Sequence, residues 1–301
     1  MECDSKKRLA TIVQSKSRIW AMSISLVLAA ALLVDTKKIS ASPDPEQGEV
    51  AEQAGQSISE ARDNLNKGVR AFTEQKYDEA AQFFEKVIQL DPDFEPARMY
   101  LATAYTSQFI PGSPNPKSQE MGNKAIETFK QVVEKAKDPV QPNINAMFSI
   151  AVLYYQLKIF DESREWCNRI LKVYPDSAEA YYRIAVMDFD DALEKTGNQG
   201  ENVEFMHPEE RAKILSKVEE GLTALDKALE IRPNFFDAME YQNLLLREKA
   251  KFEKDENAKA ELLRQADLLS RRALALKFMA QEEAAILLHL KAQEKAAKPR
   301  N

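Results

Sequence analysis

The side chains that usually carry chemistry are sparse in this chain. Its two cysteines, Cys3 and Cys167, form no CxxC pair, and its two histidines, His207 and His289, are isolated. Structural zinc needs four closely spaced nitrogen or sulfur ligands, so no zinc site is expected. A Ser–His or Cys–His nucleophile would have to be assembled around one of those two histidines, and no neighbouring residue supports it. The densest acidic stretch is "MDFDDALE", with Asp188, Asp190, Asp191 and Glu194. It lacks the glycine and ligand spacing of a calcium loop, so a solvated helix edge is the better reading. Glycine-rich phosphate loops do not occur. No cofactor or metal is therefore expected, and the chain reads as non-enzymatic. The alternative in that class is an enzyme built from carboxylates on separate helices.

Composition favours helices. The 301 residues are 44% hydrophobic and 30% charged, with only 8 glycines, and Ala, Glu, Lys and Leu are abundant. The length suits one large domain or a string of small units. A net charge of −6 argues against a general nucleic-acid binder, whose phosphate contacts need a basic surface.

The N-terminus reads as an address. Lys6, Lys7, Arg8, Lys16 and Arg18 precede "IWAMSISLVLAAALLV", residues 19–34, which is apolar apart from two serines. As a helix this run rises about 24 Å, short of a ~30 Å hydrocarbon core. A basic segment before a short apolar run is the layout of a secretory signal, with Ala41 or Ala31 as cleavage positions. Lys37 and Lys38 argue instead for a retained anchor, and both readings place residues 42–301 beyond a membrane. Residues 1–41 are thus expected to be a signal or anchor, and 42–58, poor in large apolar residues, a flexible linker.

The elements that must do any work come next, and they repeat. "AAQFFEKVIQLDP" sets Ala80, Phe84, Val87 and Ile88 at helical spacing before Pro92. The same offsets recur as Ala125, Phe129, Val132 and Val133, then as Ser163, Cys167, Ile170 and Leu171. Two further copies follow, Gly221, Leu225, Ala228 and Leu229, then Ala266, Ser270, Ala273 and Leu274. Before each copy lies another amphipathic helix with a small residue at its middle: Gly68, Ala102, Ala151, Ala185 and Asn243. Paired small residues let two helices approach closely, while the bulky positions fill a layer against the next pair.

This pattern resembles the tetratricopeptide repeat (TPR) family over about residues 61–276. The best units are 61–94, with Gly68, Tyr77, Ala80, Phe84 and Pro92, and 144–177, with Ile150, Ala151, Tyr154, Phe160 and Pro175. In both, the small positions lie twelve residues apart, as the family requires. In the second, fourth and fifth units they lie 23, 36 and 23 apart, so extra residues must lengthen the helices or the turn. Insertions are expected near 109–119, where three prolines and a glycine call for loop, and near 190–213, with loop over 196–210 and Pro208 opening the next helix. Asn64 and Lys67 suit an end unit, and residues 279–297 read as a cap helix covering the last layer with Ile286, Leu287 and Leu290, the alternative being a free amphipathic helix for a membrane or a partner. The resemblance thus implies an all-α, right-handed solenoid of about five helix pairs over 59–298, plus a C-terminal capping helix.

It also implies a groove lined by the first helix of each pair. The matching positions are Leu65, Val69 and Phe72; Met99, Tyr100 and Thr103; and Phe148, Val152 and Tyr155. Tyr182, Arg183, Val186 and Phe189 follow, then Tyr241, Leu244 and Arg247. Such an aromatic face suits an extended or helical peptide from an unidentified protein partner. The family's carboxylate clamp needs Lys, Asn and Arg donors, but the matching positions here are Leu65, Val69, Tyr100, Asn145 and Ser149, so a clamp co-chaperone is not expected. The expected function is an extracytoplasmic protein-interaction scaffold or assembly factor, the alternative an envelope-assembly module.

Overall fold

The computed structural model describes residues 45–136 and 140–297. The expected signal or anchor over 1–41 lies outside them. Among the described residues every regular element is helical, so the chain is all-α. It divides into two compact units, residues 1–158 and 159–301, the boundary falling in the turn inside the third expected repeat.

The first unit holds α1 (Pro45–Thr73), α2 (Tyr77–Leu90), α3 (Glu95–Thr106), α4 (Pro116–Glu134) and α5 (Ile144–Gln156). Consecutive helices pack as neighbours from α1 through α5. Gly68 on α1 shows why the small positions matter. A Cβ there would sit 2.5 Å from the Phe84 ring, and Phe84 is fully buried. Ala80, Ala102 and Ala125 are likewise fully buried, as are Phe84 and Val87 beneath them on α2. The turn between α1 and α2 closes with Gln75 in the left-handed region (φ 62°). The amides of Gln75 and Lys76 donate there to the carbonyls of Phe72 and Ala71.

α1 begins at Pro45, so residues 45–58 are helical where a linker is expected. Glu, Gln and Ala are good helix formers, and two glycines at about 1 kcal/mol each do not stop the run. Asn64, expected to mark an exposed end, is buried and donates from Nδ2 to the Glu60 carbonyl, while Lys67 is exposed.

The expected loop at 109–119 is shorter than predicted, because Pro116 to Gln119 form the first turn of α4. Asn115 caps that turn by accepting from the Lys117 amide, and Pro116, whose missing N–H is no loss at a helix start, opens it. The extra residues of this unit lengthen α4 to 19 residues. The loop itself is pinned. Phe109 packs into the space left by Gly122, and the Ser118 hydroxyl accepts from the Ile110 amide and donates to its carbonyl.

The second unit holds α6 (Phe160–Val173), α7 (Ala178–Thr196), α8 (Pro208–Ile231), α9 (Phe236–Phe252) and α10 (Glu256–Ala297), with a short 3-10 turn at Val203–Phe205. The larger insertion goes mostly into α7 and α8, at 19 and 24 residues, leaving residues 197–207 between them. Pro208 opens α8 as expected, so loop gives way to helix at 208–210. Gly221 on α8 repeats the role of Gly68: a Cβ there would meet Leu245 at 2.8 Å. Ala185, Leu225, Ala228 and Leu245 form a core with no measurable exposure.

The C-terminal cap is not a helix of its own. α10 runs unbroken for 42 residues, because no Gly, Pro or capping residue interrupts residues 277–280. Ile286, Leu287 and Leu290, expected to cover the last layer, are exposed.

Candidate functional site

Helices α1, α3 and α5 carry the expected face in the first unit. Leu65, Val69, Phe72 and Tyr100 pack partly buried against the core around Phe84. The Tyr100 ring stacks on Phe84 with centroids 5.3 Å apart, and Phe72 meets Tyr77 edge-on at 5.2 Å. These four are therefore half core, half surface. Thr103, half-buried, donates its hydroxyl to the Met99 carbonyl at 2.7 Å. Met99, Phe148, Val152 and Tyr155 are each half-buried. Asn143 ties the face together. Its Oδ1 caps α5 by accepting from the Ala146 amide, and its Nδ2 donates to Glu95 Oε1 at 2.8 Å at the start of α3.

α7 and α9 carry the face in the second unit, and two expectations fail there. Val186 and Phe189 are buried at 1% and 3% exposure, so they are core rather than groove. The lengthened α7 has α8 and α9 packed around it, and a wider apolar stripe goes inside. Phe189 meets Tyr241 edge-on, Tyr241 meets Tyr182 edge-on, and Tyr182 leans on Phe235, with centroids 5.0–5.7 Å apart. Burial raises the hydroxyl pKa of both tyrosines, so they stay neutral donors. Leu244 is half-buried against the same core.

Charged groups border this aromatic row, and most were not singled out from the sequence. Arg183 pairs with Glu179 at 2.7 Å, and Arg232 lies over the Phe235 ring at 3.6 Å. Arg247 donates to Asn243 Oδ1 and pairs with Asp267. Burial, reinforced for Asp237 by the nearby Glu179 charge, raises the carboxyl pKa of Asp237 and Glu240 above the usual range, and Lys277 opposes both shifts. Such groups come together only when α7, α9 and α10 pack, and no local sequence signal marks them. The face can bury apolar or aromatic groups and offer both signs of charge at its borders.

Two acids of the stretch on α7 are held in ion pairs. Asp188 is fully buried and accepts from Arg164 of α6 at 2.6 Å, and Asp191 pairs with Lys217 of α8. Among the described residues no cluster of His, Cys, Asp and Glu has the makings of a metal site. Cys167 is a buried free thiol whose pKa burial pushes up to about 11, which makes it a poor nucleophile. His207 precedes α8 and His289 sits exposed on α10, in different elements and without a catalytic partner in the sequence around them.

Paired antiparallel-type neighbours with small residues at each crossing define a helical-repeat protein. Two segments, residues 71–108 and 145–177, match models of the tetratricopeptide repeat family, and the chain carries tetratricopeptide repeats there. The second match coincides with the expected unit at 144–177. Similar solved structures include MamA protein, 14% identical, with a TM-score of 0.49 over 72% of this chain and 94% of that one. MamA from Desulfovibrio magneticus RS-1 is 13% identical, with a TM-score of 0.47 over 70% and 96%. YrrB, described as a TPR protein with an unusual peptide-binding site, is 14% identical, with a TM-score of 0.45 over 78% and 98%. Nothing about this chain's own partner follows from likenesses at that level. No curated protein sequence matches the chain.

Proposed function

We propose that this protein is a non-enzymatic interaction scaffold that holds a segment of a protein partner against the first helices of its repeats. The observation carrying the reading is the half-buried aromatic and apolar face of each unit. Met99, Tyr100, Phe148, Val152 and Tyr155 supply it in the first unit, and Tyr182 and Tyr241 in the second. Large half-exposed aromatic and apolar side chains gathered on one face mark contacts more often than solvent surface. Val69, Phe72 and Thr103 extend that face, with Arg183 and Arg247 as its charged points. The partner is an extended or helical peptide, gripped by burial and oriented by the bordering charges. Loop tips add contact surface of their own, since Ile110 and Phe205 are exposed at 64% and 85%.

The test is site-specific photocrosslinking in intact cells. Probes replacing Met99 and Val152 should trap the same partner, while probes at the outward-facing Arg62 and Gln82 should trap none. Equal trapping at all four positions would remove the groove from consideration.

The same proposal places the scaffold beyond a membrane, delivered or anchored by residues 1–41, with envelope assembly as its narrower version. No helix of the described residues is long and apolar enough to cross a membrane, and the apolar run at 19–34 lies outside them. Protease added outside intact spheroplasts should digest residues 42–301, and their protection would refute export.

A further inference from the structure

The turns inserted in the second and fourth repeats build a wall. α2 and α6 begin three residues before their small positions, Tyr77 before Ala80 and Phe160 before Ser163. α4 begins nine before Ala125, at Pro116, and α8 thirteen before Gly221, at Pro208. The added turns border an open groove in each unit. One, of about 770 Å³, is lined by α2, α3 and α4, and the other, of about 500 Å³, by α6, α7 and α8. Both use the same repeat positions: Ile88 and Leu101 line the first where Leu171 and Ile184 line the second. A helix turns about 100° per residue, which sets Leu101 and Tyr105 on the side of α3 away from Met99, Tyr100 and Thr103. Ile184 lies likewise away from Tyr182 and Val186 on α7, so neither groove belongs to the first-helix face.

Beside the apolar floor of each groove stands a carboxylate that no cation neutralises among the described residues. In the first groove Glu120 pairs with Lys124 and Glu127 with Lys130, both at 2.8 Å. Glu85 instead accepts from the Tyr105 hydroxyl at 2.6 Å. Burial, reinforced by the bond to Glu85, raises the Tyr105 pKa, so the hydroxyl stays a neutral donor. It fixes the carboxylate without cancelling its charge. In the second groove Glu219 pairs with Lys249 at 2.9 Å and Lys227 with Glu230 at 2.6 Å. Glu220 instead accepts from the Ser216 hydroxyl at 3.2 Å, and Ser216 stands on one of the inserted turns.

We infer that each groove docks a basic, amphipathic segment of a partner protein, with an arginine or lysine meeting Glu85 in one and Glu220 in the other. Charge complementarity selects the occupant. Carboxylates outnumber cations three to one among the residues lining the first groove, and two to one in the second. A purely apolar segment would cover both fixed carboxylates without pairing them, and an acidic one would be repelled. Arginine and lysine carry a charged head on a long aliphatic stem. The stem covers Ile88 and Leu101, or Leu171 and Ile184, while the head reaches the carboxylate. Docking here leaves the first-helix faces free, so this inference does not rest on the function proposed for them.

The experiment uses the purified full chain and short labelled peptides, read by fluorescence anisotropy. The peptides share leucines at helical spacing and carry arginine, glutamine or glutamate between them. The arginine peptide should bind severalfold more tightly than the glutamine peptide, and the glutamate peptide should not bind. Glu85→Lys with Glu220→Lys should weaken the arginine peptide severalfold and admit the glutamate peptide. Met99→Ala with Val152→Ala, on the first-helix face, should leave the arginine peptide unaffected. Failure of the arginine peptide to bind, or undiminished binding by the double reversal, would overturn the inference. Loss of binding in the Met99 and Val152 variant would also overturn it, because the peptide would then sit on the first-helix face. So would equal binding of an arginine peptide with serine in place of leucine, since the apolar floors would be idle. Glu85 and Glu220 are exposed, so circular dichroism should be unchanged in the double reversal.

Discussion

At single residues, the fold rests on positions where nothing larger fits. Gly68 sits in mid-helix, where alanine would gain about 1 kcal/mol in helix propensity. Its Cβ, however, would sit 2.5 Å from a ring with no room to move. Gly68→Ala is expected to destabilise the first unit by roughly 1–3 kcal/mol, the usual cost of overpacking, read from urea unfolding. A gain in stability would mean that the helices of this pair are further apart than described. Asp188 shows the opposite economy, a charge held inside by one partner. Its Oδ2 is buried without a hydrogen bond among the described residues, and burial raises its pKa despite Arg164. A carboxyl with a raised folded-state pKa favours the folded chain at low pH, and that advantage fades as pH climbs from the unfolded value through the folded one. Arg164→Met removes the compensating charge, so it should cost stability at pH 7. Breaking a buried pair costs about 3–5 kcal/mol, and with Arg164 itself 30% exposed the lower end is expected. The loss should shrink as pH falls and Asp188 takes up a proton. A pH-independent loss would show that Arg164 acts through packing rather than charge.

Among elements, caps and seams decide where helices begin and what they touch. Asn143 does two jobs, capping α5 and donating to Glu95 on α3. Asn143→Ala should cost about 1–2 kcal/mol in thermal or urea unfolding. Asn143→Asp keeps a competent cap but faces Glu95 with a second carboxylate, so it too should destabilise at neutral pH, and the deficit should vanish in acid. If Asp were harmless at pH 7, the link to Glu95 would be unimportant. The helix pairs themselves were legible in the sequence, since the small positions at Gly68, Ala80, Ala102, Ala125 and Ala185 are all buried where the repeat pattern puts them. Ends were harder to read. Pro116 to Gln119 look like loop because prolines cluster there, yet proline at a helix start costs nothing. Residues 45–58 look like linker because they have no oily face, yet their composition favours helix.

Over the whole molecule, the C-terminal segment should be nearly neutral for stability. A full chain ended after Phe278 loses only exposed side chains among those described, Met279–Lys291 and Gln293, so its unfolding free energy should change by about 0.5 kcal/mol or less. A large loss would mean that residues 279–297 pack on the chain itself. The candidate face was only partly legible. Tyr100, Phe148, Val152, Tyr155, Tyr182 and Tyr241 lie half-exposed, as a first-helix face requires, but Val186 and Phe189 went into the core. Periodicity says which stripe of a helix is apolar; how much of that stripe is covered depends on how many neighbours the helix acquires.

By itself the sequence determined an all-α chain of paired helices with small residues at the crossings, because a 3.6-residue period and a missing side chain are local properties of the string. Tertiary structure alone decided the rest. Two inserted stretches became longer helices, and Asp188 and Asp191 of the acidic run on α7 went into ion pairs with α6 and α8. The expected cap became an uncovered extension of α10. Each of these outcomes turns on which groups from distant parts of the chain arrive at one place, and desolvation and charge pairing act only after they meet.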